Sequence, residues 1–141
     1  SLLSNGIVSP RLWLALGFTA IITAPIAEEF FFRGLLQGWL ESELLKRHRQ
    51  ARPFDETESP IPEAAHQQLP LRLACLPILA SSILFSAAHF NHGGGWIAIF
   101  VLALGLGLLY HKTHRLLPCI LLHMALNATS LAIAYFGSQF S

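Results

Sequence analysis

Four apolar stretches restrict what this chain can become: Leu12 to Leu40, Leu71 to Phe90, Trp96 to Tyr110 and Leu116 to Phe136. A bilayer's hydrocarbon core is about 30 Å thick, and a helix rising about 1.5 Å per residue crosses it in about 20 residues. Each stretch is that long or nearly so, and the expected fold class is all-α, a polytopic transmembrane helix bundle with about four spanning helices. Composition agrees, because 53% hydrophobic and 12% charged residues are unlike an ordinary soluble domain. The first stretch runs well beyond a signal-peptide core and has no cleavage pattern, so it reads as mature structure. The 141 residues fit one domain, 1–141, and a chain starting at Ser1 without Met reads as a piece of a longer membrane protein.

Inside the first stretch stands Glu28-Glu29-Phe30-Phe31-Phe32-Arg33-Gly34. A charged side chain at the centre of a spanning helix costs roughly 2.5–3.5 kcal/mol on insertion scales, so something must offset three of them. Glu29 and Arg33, at i and i+4, share a face and can neutralise each other. Arg33 lies about 140° around the helix from Glu28, which leaves Glu28 without a partner on its own helix. Glu28 therefore needs one from elsewhere. Pro25, just before it, removes a backbone donor and is expected to bend the helix.

The first helix is expected to end near Leu45. Gln37, Glu41, Glu43, Lys46, Arg47, His48, Arg49 and Arg52 mark its exit into water, and the polar loop 42–70 follows, with four prolines between Pro53 and Pro70. Asp55, Glu56, Glu58 and Glu63 read there as solvated linker. Asn91 to Gly95 is a glycine turn between the second and third helices. Gly105 and Gly107 permit close helix approach. Cys75 and Cys119 lie in apolar blocks without metal-ligand spacing and are expected to be buried thiols. The net charge of +1, with no clustered basic face, argues against nucleic acid as a partner. Basic residues flank loops 42–70 and 111–115, whereas Asn91 to Gly95 has none, so the positive-inside rule puts both basic loops in the cytoplasm of a multi-pass cell-membrane protein.

The intramembrane polar groups are few: Glu28, Glu29, Arg33, His89, His123 and Asn127. So sparse and expensive a set, drawn from three helices, is expected to converge on one internal site. A buried Glu beside a His can deprotonate water, while His123 and Asn127, one turn apart, can stabilise the oxyanion that the attack creates. Hydrolysis of a peptide bond fits, with no cofactor. The same residues allow zinc chemistry, with Glu28, His89 and His123 as ligands and one open position, although no HExxH spacing supports it. Two duller readings remain: a non-catalytic membrane immunity or peptide-binding protein, and a purely structural bundle. Straight helices in this topology put His89 near the non-cytoplasmic end of its helix. His123 lies only about 10 Å from the cytoplasmic end of its own. A tilt, a deep turn at Gly93 to Gly95, or a second helix starting later than Leu71 would bring them level.

Three stretches, EEFFFRG from Glu28, FSAAH from Phe85 and HMALN from His123, resemble the EExxxR, FxxxH and HxxxN motifs of the CAAX protease and bacteriocin-processing family. They occur in the family's order and cover about residues 23 to 130. The resemblance implies an intramembrane endopeptidase of the glutamate type acting on a membrane-associated peptide or lipidated protein, with or without a prenyl group. It also implies that Glu28 and His89 activate water, that His123 and Asn127 stabilise the oxyanion, and that Glu29, Arg33 and Phe85 support them. Family members usually have more than four spanning helices, and the 41–70 loop is long for the motif core.

Overall fold

The structure, a computed structural model, describes residues 10–51, 69–90 and 95–137. Among the described residues the regular structure is helical: α1 is the unbroken run of residues 10–50, α2 is Leu71–Ala88, α3 is Trp96–Thr113 and α4 is Leu116–Gly137. All four are long and apolar enough to cross a membrane. In lipid every backbone group must find its partner within the protein, which is why apolar segments of this length become helices. The expected lead-in before Pro10, most of the polar loop (52–68) and most of the glycine turn (91–94) lie outside the described residues.

α1 is not uniform. Thr19–Thr23 and Phe30–Gln37 are π-helical, with α-helical Pro10–Phe18, Ala24–Glu29 and Gly38–Gln50 around them. Pro25 thus sits just after a wide turn instead of at a break in the helix. Ala24 N–H donates to Thr19 O, five residues back. Continuing that register, Ala20 O would receive its bond from residue 25, but proline has no N–H to give. The orphaned carbonyl accepts a hydrogen bond from Asn127 Nδ2 of α4 at 2.8 Å instead.

α1 also runs to Gln50, beyond the end expected near Leu45, so residues 42–50 of the expected loop are helix. Glu43 pairs there with Lys46 at 3.9 Å and with Arg47 at 3.3 Å. Arg47, His48 and Arg49 in the last turn complement the negative end of the helix dipole.

Three contacts at a constant sequence offset align α1 parallel to α3. Arg33 Nη2 donates to Ala103 O, Gln37 Nε2 donates to Gly107 O, and His111 Nδ1 meets Glu41 Oε2, each pair 70 residues apart. α2 returns antiparallel, with Ser81 Oγ bonded to Phe32 O and Glu28 beside His89. α4 is antiparallel as well: Leu116 packs at Gly34, His123 meets Glu29, and Leu131 lies at Gly17.

The same offset puts Trp96 level with residue 26, so the α2–α3 hairpin stops near Glu28 while α1 and α4 continue past it. α4 begins level with Gly34, well short of Gln50. These two levels bring His89 and His123 to one height without moving the start of α2 from Leu71. Beyond the hairpin, α1 and α4 flank an apolar groove of about 710 Å³ lined by Leu14, Gly17, Phe18, Ile21, Ile22 and Leu131, among others.

The bundle is polar inside and greasy outside. Glu29, Arg33, Gln37, Glu41, Ser81, Ser82, His111 and His123 are buried, whereas Leu14, Leu76, Val101 and Ile133 are exposed. Lipid tails are as apolar as leucine, so helices gain from polar pairing and close contact more than from burying hydrocarbon. A Cβ at Gly107 would lie 3.0 Å from Ile78 Cγ2 and 3.1 Å from Gln37 Oε1, so the packing of α2 and α1 on α3 at this level depends on that glycine. Gly105, expected to act with it, has open space around it. Both cysteines are free; Cys119 is buried as expected, but Cys75 is exposed on α2 because an apolar residue of a bundle this thin can face lipid.

Candidate active site

Glu29 and Arg33 meet as their spacing requires, Arg33 Nε lying 3.2 Å from Glu29 Oε2 with both side chains fully buried. The alignment is poor for a hydrogen bond, so the contact is mainly charge on charge. Arg33 is further held by Ala103 O at 3.1 Å and by the Phe85 ring, whose centroid is 4.8 Å from the guanidinium carbon. A desolvated cation over an aromatic face gains about 2 kcal/mol. Phe85 in turn stacks on His89 at 4.7 Å and meets His123 edge-on at 5.8 Å. One ring thus touches Arg33 and both imidazoles and helps to orient them.

Glu28 finds its partners on two other helices. His89 Nε2 is 3.6 Å from its Oε1, and His123 Nε2 is 3.7 Å from its Oε2. Glu28 and His89 are about a quarter exposed, while His123 is buried. These gaps exceed a direct hydrogen bond and lie within the span that one water can bridge.

The other nitrogen of each ring fixes its chemistry. His89 Nδ1 lies 2.8 Å from Phe85 O, and a carbonyl can only accept, so Nδ1 carries the proton and neutral His89 presents a lone pair at Nε2. His123 Nδ1 lies 2.9 Å from Glu29 Oε1 in the same way. Its Nε2 donates only in the imidazolium form. Two acceptors, Glu28 Oε1 and His89 Nε2, therefore lie 3.6 Å apart, a pairing that a shared proton or a donor molecule beside them would relieve.

Asn127, on the face of His123 one turn on, uses one amide hydrogen on Ala20 O and keeps a second. The structure thus gathers Glu28, Glu29, Arg33, Phe85, His89 and His123 directly, and ties Asn127 to Ala20, eight residues before Glu28 on α1.

Two buried residues missed by the reading above continue the polar stripe. Gln37 and Glu41, expected at the exit into water, are buried; Gln37 Nε2 donates to Glu41 Oε1 and to Gly107 O, both at 2.9 Å. The signal was present as a strict four-residue spacing of Glu29, Arg33, Gln37 and Glu41. In a regular α-helix three such steps drift by about 120°. The wider π turn over Phe30–Gln37 takes up part of that drift and keeps the stripe turned toward α3.

The family model described as type II CAAX prenyl endopeptidase Rce1-like matches residues 10–129, a span containing all three motif stretches and reaching into all four helices. No curated protein and no solved structure matches. With four membrane-crossing helices and a match over most of its length, this multi-pass membrane chain belongs to the Rce1-like family of type II CAAX prenyl endopeptidases, a family of proteases.

Proposed function

We propose that the protein hydrolyses a peptide bond of a membrane-associated substrate with water activated by Glu28 and His89. The observation that carries this reading is the 3.6 Å gap between two proton acceptors, Glu28 Oε1 and His89 Nε2. A water donating one hydrogen to each keeps its lone pairs free for a carbonyl carbon. As the water oxygen bonds to that carbon, its proton passes to the Glu28–His89 pair and the carbonyl electrons move onto oxygen. The oxyanion is stabilised by the Nε2–H of protonated His123 and the second amide hydrogen of Asn127. Collapse breaks the C–N bond, and the stored proton goes to the leaving amine. Glu29 positions His123 through Nδ1, Arg33 balances the charge of Glu29, and Phe85 holds both imidazoles. Neither a cofactor nor a metal is needed for these steps.

The groove between α1 and α4 supports an apolar substrate group. Its volume falls in the range of about 300–1,000 Å³ usual for ligand pockets. Ile22 on its wall is six residues from Glu28, about 9 Å along the helix. A prenyl chain or an apolar peptide segment lying there would leave the scissile bond near Glu28. The basic residues at the far end of α1 suit a cytoplasmic face for the connection after α1 and for the turn between α3 and α4.

The test is cleavage of a membrane-tethered peptide by purified protein in detergent. Glu28→Gln and His89→Ala are each expected to abolish most of it, and undiminished cleavage in both variants would exclude this mechanism. A zinc ion held by Glu28, His89 and His123 is the competing chemistry, since the same three side chains adjoin. Loss of activity on chelation, restored by zinc and insensitive to substitutions elsewhere, would favour that version.

A further inference from the structure

At the other end of the polar stripe lies a second group of one carboxylate and two imidazoles. Glu41 and His111 are buried, His114 is exposed, and one ligand atom from each lies within 4.8 Å of the others. We infer that Glu41, His111 and His114 form a binding site for a divalent transition-metal ion of the zinc class, tying α1 to the end of α3.

Three observations carry it. The donor set is chemically suited: one carboxylate oxygen and two imidazole nitrogens are ligands that zinc accepts with a water in the fourth position. Around an ion with bonds of about 2.1 Å, tetrahedral donors stand about 3.4 Å apart. His111 Nδ1 and Glu41 Oε2 are already at 3.3 Å, so closure requires mainly a movement of the exposed His114 ring, which lies against the Tyr110 and His111 rings.

Next, the carboxylate is held from behind. Gln37, itself fully buried, donates to Glu41 Oε1 at 2.9 Å and leaves Oε2 toward the imidazoles, the kind of outer contact that orients a metal-binding carboxylate.

Finally, His114 stands where a histidine is conformationally disfavoured. Its φ is 48°, and it is the only described non-glycine residue with positive φ. It caps α3 through its N–H to Tyr110 O, a left-handed position that glycine fills without strain. A histidine there brings an imidazole to within 6.0 Å, ring centre to ring centre, of His111, which glycine could not.

The site is remote from the Glu28 cluster along α1, three helical turns away, and its proposed role is structural. The experiment uses the whole protein in detergent, titrated with zinc chloride and separately with cobalt chloride. Bound metal is counted after gel filtration, cobalt geometry is read from visible absorption, and melting is followed with and without zinc. Wild type is expected to retain one zinc per chain, to show a tetrahedral cobalt band and to melt higher with zinc. His114→Gly, which suits φ 48° and will fold, is expected to bind more than about 10-fold more weakly and to lose the zinc-dependent rise. Glu28→Gln is expected to keep both. No retained zinc in wild type, retention undiminished by His114→Gly, or loss in Glu28→Gln with His114 intact would each overturn the assignment.

Discussion

Glu28 with His89 and His123, and Glu41 with His111 and His114, are two similar side-chain sets at different heights on one helix, yet their surroundings differ. Around Glu28 the imidazoles approach different oxygens at 3.6 and 3.7 Å, and each is anchored through its other nitrogen, to Phe85 O or to Glu29. Around Glu41 one imidazole is already at 3.3 Å and the other is exposed at a helix end. The first set holds its gap open from behind; the second can close. On the proposed reading, the first set holds a reacting water and the second an ion. The ion pair of Glu29 with Arg33 adjoins only the first set.

The sharpest way to break the contrast is to neutralise one carboxylate without changing its shape. Glu28→Gln should lower kcat for a tethered peptide about 10²- to 10⁴-fold, the usual contribution of a positioned base, with little change in melting temperature. If cleavage persists while melting falls, the Glu28 set is structural and the contrast with Glu41 disappears.

Arg33 offers the next largest effect, expressed as stability. Arg33→Met leaves the buried Glu29 carboxylate with His123 as its remaining partner and should cost up to about 3–5 kcal/mol, read from thermal melting in detergent. Adding Glu29→Gln should recover much of that loss, because the buried negative charge is then gone. Strictly additive losses in the double variant would mean that the two do not act as a pair.

The two sets were unequally legible before the structure was known, for physical reasons. Glu28, Glu29 and Arg33 stand out because charges are expensive inside an apolar run, and His89 and His123 because their helices carry so few other polar groups. Gln37 and Glu41 were hidden by their neighbours: half-buried Glu43 and exposed Lys46 and Arg47 invite the same reading for residues that in fact face α3. His111 was obscured in the same way by Lys112 and Arg115. The helix count and the starts of α2, α3 and α4 followed from apolar length, whereas the two π-helical stretches and the shared height of His89 and His123 depend on hydrogen-bond register and packing, which hydropathy does not encode.

A smaller effect tests the approach that joins α2 and α3 beside the stripe. Gly107→Ala sets a methyl against Ile78 and Gln37 and should destabilise by about 1–3 kcal/mol, the range for overpacking. Gly105→Ala, with open space around it, should be neutral or slightly stabilising. Equal effects from the two would mean that the stripe does not depend on this contact.

The smallest expected effect on stability concerns Asn127, which has two separable tasks. Its Nδ2 satisfies Ala20 O, the carbonyl that Pro25 leaves without a donor. Membrane hydrogen bonds of this kind average about 0.6 kcal/mol and reach about 1.7, so Asn127→Ala should lower stability by an amount in that range. Pro25→Ala restores a backbone N–H at residue 25, after which Ala20 O no longer depends on Asn127. Removing Asn127 in that background should then cost less stability than in the wild type, a coupling that a double-mutant cycle reads directly. Activity should respond differently, because the proposed oxyanion contact uses the second amide hydrogen, which Pro25→Ala does not replace. Asn127→Ala should therefore lower kcat in both backgrounds, by up to about 10²- to 10³-fold if that donor matches those of other oxyanion holes. Activity recovered together with stability in the double variant would reduce Asn127 to a partner for a proline-interrupted helix and leave His123 as the sole donor to the oxyanion.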